Sequence, residues 1–383
     1  MKKKLFLLVL FAAVFITQLA AQTNSANSNK NKISTFAQFE AAMPPIRVEG
    51  NPIMKHGGFA GGSGQVMESC ILVNPKDSTK LIMFYAGQNL IPSDGGRGAL
   101  AKAWANKANP LVWYEYEQNP ILTPDPLIPF ESFSVRMDCV LYKADTDEYW
   151  IYYTGRTDAP QNNKGETDAV GLAICPAGKD GYSDITMANI KRYAGNPVLS
   201  ASGQGRKDGD HVSQSSVIFD KGIYYMYYSY RKDSTDILPG IRYATSKDGK
   251  VWTKQGMGNL ISRGMEGSPD AKYFEWKQCF KAFNKYIIVW EAFNGKEWAI
   301  CIASADKPEG PWVKSLKNPI FRPTGIKNSF DELFVATAAF YFINNKWYLY
   351  YVGASNGGDY NYNTWDMGAA ILPVKGKPKK SKK

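Results

Sequence analysis

Four acidic residues recur at comparable places along the chain: Glu68, Asp138, Asp210 and Glu275, separated by 70, 72 and 65 residues. Each stands at or just inside the start of an apolar run of strand length, so distant carboxylates fall at matching ends of separate strands. Converging carboxylates supply general acid and base chemistry when one holds a proton near neutral pH and another does not. Asp138 is the most telling, because Val135-Arg-Met-Asp-Cys-Val-Leu-Tyr142 is otherwise nearly apolar and an unpaired carboxylate there is costly. Arg136, two residues away, shares its side of an extended strand and is the expected partner, which would keep Asp138 ionised. Structural pairing accounts for this duo about as well as catalysis does. Glu275 lies between Phe274 and Trp276, whose rings would desolvate a carboxyl and raise its pKa, as a general acid requires. Glu68 is the candidate base or nucleophile, with Asp210 its rival. Further acids precede the same strands (Asp208, Glu266, Asp270, Asp331, Glu332), where an acid is more often a solvated turn residue.

Residues suited to hold a sugar accompany these acids. His211 and Gln214 adjoin Asp210, and Arg136 adjoins Asp138. Trp276, Tyr360, Tyr362 and Trp365 could stack on a pyranose or furanose ring. The competing reading is that the rings fill space between sheets and that His211 is a hydrogen-bonded structural residue. Two His and no Cys-x-x-Cys argue against zinc, and the Gly57–Gly64 loop has no following Lys-Ser/Thr to cradle phosphate. No metal and no cofactor are expected.

These residues are positioned by a repeat. Between Asp208 and Ile261, four runs punctuated by Asp220-Lys-Gly222 and Lys247-Asp-Gly249 read as an antiparallel meander. Its aromatic second run, Ile223-Tyr-Tyr-Met-Tyr-Tyr228, recurs as Leu81–Tyr85, Tyr149–Tyr153, Tyr286–Trp290 and Trp347–Tyr351. Its closing tetrad recurs as Asn119-Pro-Ile-Leu122, Asn196-Pro-Val-Leu199 and Asn318-Pro-Ile-Phe321, with Asn51-Pro-Ile53 near the start. The expected fold is all-β: one five-bladed β-propeller with four-stranded antiparallel blades over residues 41–374. Ile46–Ile53 has no blade of its own and should pair with the strand around Met367–Val374, closing the ring. Second-to-third strand loops are long and collect on one face, where function is expected.

The ends carry other signals. Lys2-Lys-Lys4, the apolar Leu5–Ile16 and Leu19-Ala-Ala21 read as a cleaved signal peptide over residues 1–21, implying a secreted or periplasmic protein. Residues 22–40 read as a disordered leader and 375–383 as a basic tail. Of the formal charge of +11, three charges lie in the signal and six in the tail, leaving the core about +2. That is no footprint for nucleic acid, and no membrane span is expected. The five Cys are expected as free thiols in the core. The partner expected is a carbohydrate, bound by a monomer.

Val217–Ser229, Gly240–Trp252 and Pro308-Glu-Gly-Pro-Trp312 resemble the five-bladed β-propeller glycoside hydrolases, the family 43/32/62/68/117/130 grouping. The resemblance covers nearly all of the mature chain and speaks to fold more than to substrate. It implies three acids on a central funnel: a first-blade base or nucleophile, a carboxylate that tunes pKa, and a later general acid. Glu68 occupies the first-blade register, where that grouping usually has Asp-Pro. Arg136-Met-Asp138 is similar to an Arg-Asp-Pro motif with an inserted Met and no Pro. Glu266-Gly-Ser-Pro269 lies too early for the acid, leaving Glu275. The activity implied is hydrolysis of plant or algal oligo- or polysaccharides, xylosidase- or arabinofuranosidase-like. A non-catalytic glycan-binding propeller and a glycoside phosphorylase are the alternatives.

Overall fold

In the computed structural model the chain is described over residues 32–56, 65–88, 98–157, 167–203, 208–231, 239–355 and 365–374. It is nearly all β. The strands group into antiparallel four-strand units that follow one another along the sequence. The first unit comprises Gln65–Val73, Lys80–Gln88, Gly98–Asn106 and Trp113–Glu115. The second comprises Ser134–Lys143, Glu148–Arg156, Asp168–Pro176 and Lys191–Arg192. His211–Asp220, Ile223–Arg231, Gly240–Ser246 and Thr253–Gln255 make the third, joined to the second by a single parallel pair, His211 with Asp168. Tyr273–Ala282, Lys285–Phe293, Trp298–Ala305 and Val313–Lys314 make the fourth. The last unit draws three strands from the C-terminal part, Phe334–Ile343, Lys346–Ala354 and Asp366–Ile371, and its fourth, Ile46–Arg47, from the other end of the chain. Ile46 pairs with Ile371 and Arg47 with Ala370, as the unpaired N-terminal segment demanded.

The first strand of each unit is the inner one, and the inner strands are tied to each other by side chains rather than by a ladder. The Val140 N–H donates to Cys70 Sγ, Val217 N–H to Cys139 Sγ, and Cys279 N–H to Ser216 Oγ. Phe340 N–H donates to Gln278 Oε1, and Ile71 N–H to the Tyr341 hydroxyl, which returns the series to the first unit. Inner strands splay apart too far for backbone pairing, so each buried N–H needs such a substitute acceptor. All five Cys are free and buried, as expected.

The recurring Asn of the linker tetrad does a related job on the third strands. The Asn119 amide accepts from Lys102 N–H and donates to Lys102 C=O; Asn196 does the same at Leu172, Asn318 at Ile302 and Asn51 at Ala369. One side chain thus imitates an extra strand residue. Tyrosines of the second strands pack over these third strands. At Gly171 an added Cβ would lie 2.5 Å from the Tyr153 ring, which explains the glycine.

Apolar seams fill the space between sequence-adjacent units, and one joins the last unit to the first through Tyr85, Met83, Tyr341 and Tyr350. Residues 32–40 differ from the expected disordered leader. Phe36–Ala41 is a short helix capped by Thr35, and its buried Phe39 meets the rings of Phe280, Phe283, Phe340 and Trp347. Ile33, Phe36 and Phe39 dock this largely polar segment on the apolar cluster of the last two units. The signal peptide and the basic tail lie outside the described residues.

Candidate functional site

Each inner strand carries a β-bulge at the same height. The register slips between Met67 and Cys70, Met137 and Cys139, Ser213 and Ser216, Phe274 and Lys277, and Ala336 and Ala339. Glu68, Gln214 and Thr337 at these points have φ of 53°, 52° and 43°. A bulge breaks the two-residue alternation and re-aims side chains that would otherwise enter a seam. Here the redirected residues include Glu68, Asp138, Gln214 and Glu275, which belong to four different units.

The bulge also changes the partnership expected for Arg136. Asp138 is the extra residue between Met137, paired with Tyr153, and Cys139, paired with Tyr152. It therefore turns toward the third unit, where Ser215 donates to it from both N–H (2.8 Å) and Oγ (2.6 Å); Thr154 Oγ1 of its own unit donates at 2.8 Å. Arg136 turns instead to the first unit, with Nε 2.9 Å from Glu68 Oε1. The pair is Arg136 with Glu68, and Asp138 is held by hydroxyls and an amide.

Electrostatics tie these groups together. Burial pushes the Glu68 carboxyl up to about 7; Arg136 opposes the shift, and the charges of Asp138 and Glu275 add to it. Burial likewise raises Asp138 to about 6 against the pull of its hydrogen bonds and of Lys277. Two buried members escaped the sequence reading. Glu291 stands on the second strand of the fourth unit, opposite the Glu275-Trp276 bulge, and accepts from Thr337 N–H at 3.0 Å. Burial, and next the charge of Glu275, hold it well above the usual carboxylate range. Lys277 donates to the Gln214 carbonyl at 2.6 Å, and burial lowers its pKa to about 7 while Asp138, Glu275 and Glu291 resist. The signal for Glu291 was the one used for Asp138, a charge inside an apolar strand; the polar strand around Lys277 gave none.

Below this cluster lies a cavity of about 270 Å³. Its lining runs from Asp138 and Lys277 down the inner strands to Asp220, Lys281 and Trp347 at the hairpin-turn end. Of the clustered charges, Asp138 and Lys277 reach its lining.

Other expected site residues are placed elsewhere. Asp210 is bound by Arg231 through Nε (2.9 Å) and Nη2 (3.2 Å). His211 Nε2 lies 2.6 Å from Ser213 Oγ and its Nδ1 faces Asp168 at 3.2 Å, and burial lowers its pKa. It is a seam residue rather than a free ligand. Trp276 is buried with its indole N–H donating to the Met137 carbonyl, and Trp365 is buried against Phe334, so neither ring is a sugar platform. Gln214 is buried with an amide oxygen that has no hydrogen-bond partner, which suits a group awaiting one. Tyr360 and Tyr362 lie outside the described residues. Asp208, Asp270 and Asp331, acids before inner strands, bind Arg242, Lys314 and Arg47 within their units and are structural. Among the described residues no cluster of His, Cys, Asp and Glu could hold a metal ion.

The fold is that of known glycoside hydrolases. A structure described as a glycoside hydrolase superposes with a TM-score of 0.65 at 14% identity, covering 90% of this chain and 97% of its own. The catalytic domain of the Coprinopsis cinerea GH62 α-L-arabinofuranosidase matches at 0.54 and 14%, over 86% and 94%. The β-1,2-mannobiose phosphorylase of Listeria innocua matches at 0.61 and 13%, over 87% and 97%. These likenesses bear out the propeller glycoside hydrolase resemblance at the level of fold. No family model matches the chain. Two uncharacterized proteins of Mycobacterium tuberculosis, MT1551 and Rv1502, are each 30% identical over 156 residues, 39% of this chain. The match spans 46% of their length, so the chain covers less than half of these curated relatives.

Proposed function

We propose that the protein is an exported glycosidase built as a closed five-bladed propeller, its sugar-cleaving site formed where the inner-strand bulges bring carboxylates together. The ring of side-chain acceptors from Cys70 through Tyr341 supports the five-fold closure. The observation that carries the function is the gathering of Glu68, Asp138, Glu275 and Glu291 with Arg136 and Lys277 at the inner-strand bulges. Glycoside hydrolysis needs one carboxyl to protonate the leaving oxygen and another to activate water or attack the sugar. Glu275 is the carboxyl assigned to the leaving oxygen. It is partly exposed, unlike Glu68, Asp138 and Glu291. Glu68, once ionised, is the base or nucleophile. Asp138, fixed by three donors, supplies charge at a constant position. Gln214 offers an amide oxygen to a sugar hydroxyl.

Water is favoured over phosphate as the acceptor. Of the cations near His211, Arg231 is matched by Asp210, and Arg156 lies 3.4 Å from Asp168. Purified protein screened on aryl glycosides and on plant and algal oligosaccharides, with and without phosphate, tests this reading. Phosphate-independent release of sugar is expected. Binding without turnover across the panel would make the protein a glycan-binding propeller instead.

A further inference from the structure

Resting on that reading, we infer that Lys277 is a positioning residue that supplies the compensating charge for the Asp138, Glu275 and Glu291 side of the site, as Arg136 does for Glu68. Lys277 is wholly buried on the inner strand of the fourth unit, directly after the Glu275-Trp276 bulge. From there its Nζ reaches the third unit, where it meets the carbonyl of Gln214, itself a bulge residue. A buried ammonium is tolerated only where charge and hydrogen bonds compensate its lost hydration. That compensation comes from three sides. Asp138 of the second unit shares the cavity lining with it, and Glu275 on its own strand and Glu291 on the neighbouring strand flank the same bulge, all three acting on it through charge. Glu68 and Arg136 pair beyond them, and the last unit contributes the neutral Thr337.

The tally explains why two cations are needed. With all four carboxyls ionised, one cation would leave three excess negative charges buried together. With Arg136 and Lys277 both present the excess is two, which two protons shared among the four carboxyls can cancel. Lys277 thereby keeps part of the cluster ionised at neutral pH without touching the sugar. Its cation is also placed where a distant surface charge could not act, since solvent screens exposed pairs and spares buried ones.

Carboxyl and lysine side-chain titrations by NMR, made on the free protein, test this without any substrate. In Lys277→Met the Asp138 midpoint should rise by about one pH unit or more, the size expected when a nearby opposite charge is lost. The Glu131 midpoint, raised by burial against the pull of Tyr153 and Arg192 and remote from Lys277, should stay. An unmoved Asp138 overturns the proposal. If Lys277→Met does not fold, Asp138→Asn is read at the Lys277 side chain, whose midpoint should fall; a constant midpoint is equally fatal. Absence of hydrolysis by the wild-type protein would fail the glycosidase reading while leaving these titrations intact. Where wild type is active, Lys277→Met should displace the acidic limb of kcat/KM upward, a change that loss of packing alone does not produce.

Discussion

Arg136 Nε and Glu68 Oε1 lie 2.9 Å apart across the boundary between the first and second units, both side chains largely withdrawn from water. The two form a buried ion pair, so each partner depends on the other: removing one leaves an uncompensated group, which typically costs ~3–5 kcal/mol. Yet Glu68 is not locked in its ionised form, because burial outweighs Arg136 and carries its pKa to about 7. A carboxyl balanced at that point changes protonation with little cost in either direction.

This sets a pH dependence for the reaction. As the base or nucleophile, Glu68 must be ionised, so kcat/KM should rise with pH through about 7. Arg136→Met removes the opposing charge and should move that limb upward. A profile that instead falls through neutrality would mean that Glu68 donates the proton, exchanging its role with that of Glu275.

Stability should follow pH through the same groups. Glu68 rises from 4.5 to about 7 on folding, so its contribution is full below 4.5 and is lost as pH rises through 7. Asp138, rising from 3.8 to about 6, acts in the same sense over a lower window. Lys277 falls from 10.5 to about 7; its contribution is present above 10.5 and is lost as pH falls through 7. Together they place a minimum near neutral pH. Urea unfolding of wild type and Glu68→Gln from pH 4.5 to 7 should show the variant gaining on wild type as pH rises. A constant difference across that window defeats the assignment.

Much of the architecture was legible because it satisfies the same local requirement repeatedly. The Asn of each tetrad must cap a third strand, the aromatic second strands must fill seams, and Ile46–Ile53 could not remain an open edge. The site was legible only where a charge interrupts an apolar run. Asp138 meets that criterion, and Glu291 meets it equally in Trp290-Glu-Ala292, one residue past the end of the aromatic run. What pattern reasoning could not supply was direction. Alternation places Arg136 beside Asp138 and leaves Trp276 free to face a ligand, but the bulges rotate Arg136 to Glu68 and bury Trp276 under Met137. Nothing local in the sequence marks these bulges, since Glu, Gln and Thr are unusual residues at positive φ.

The hub ring yields a prediction about stability alone. Cys139 Sγ accepts from Val217 N–H at 3.2 Å, the position that Ser216 Oγ fills for Cys279 in the next unit. Cys139→Ala leaves a buried N–H unpaired and should cost ~1–3 kcal/mol, whereas Cys139→Ser keeps an acceptor and should cost less. Equal losses for the two variants in denaturant unfolding would show that the thiol acts only as filler.

The acid assignment can be separated from a merely structural role by changing the leaving group. Glu275 stands on the bulge facing Glu291, whose carboxyl is pushed well above the usual range first by burial and next by the nearby Glu275, so the two carboxyls compete for protons. Proton donation matters when the departing oxygen is a poor leaving group and matters little when it departs as a stable phenolate. Glu275→Gln should therefore lose ~10²-fold or more in kcat/KM on a natural glycosidic bond. On a dinitrophenyl glycoside, which departs without a proton, the loss should be far smaller, with circular dichroism unchanged. An equal loss on both substrates would make Glu275 the base or nucleophile and pass the acid role to Glu68. Full activity on both would remove Glu275 from the mechanism, and Glu291→Gln, assayed alongside, would then show whether its buried neighbour had been the donor.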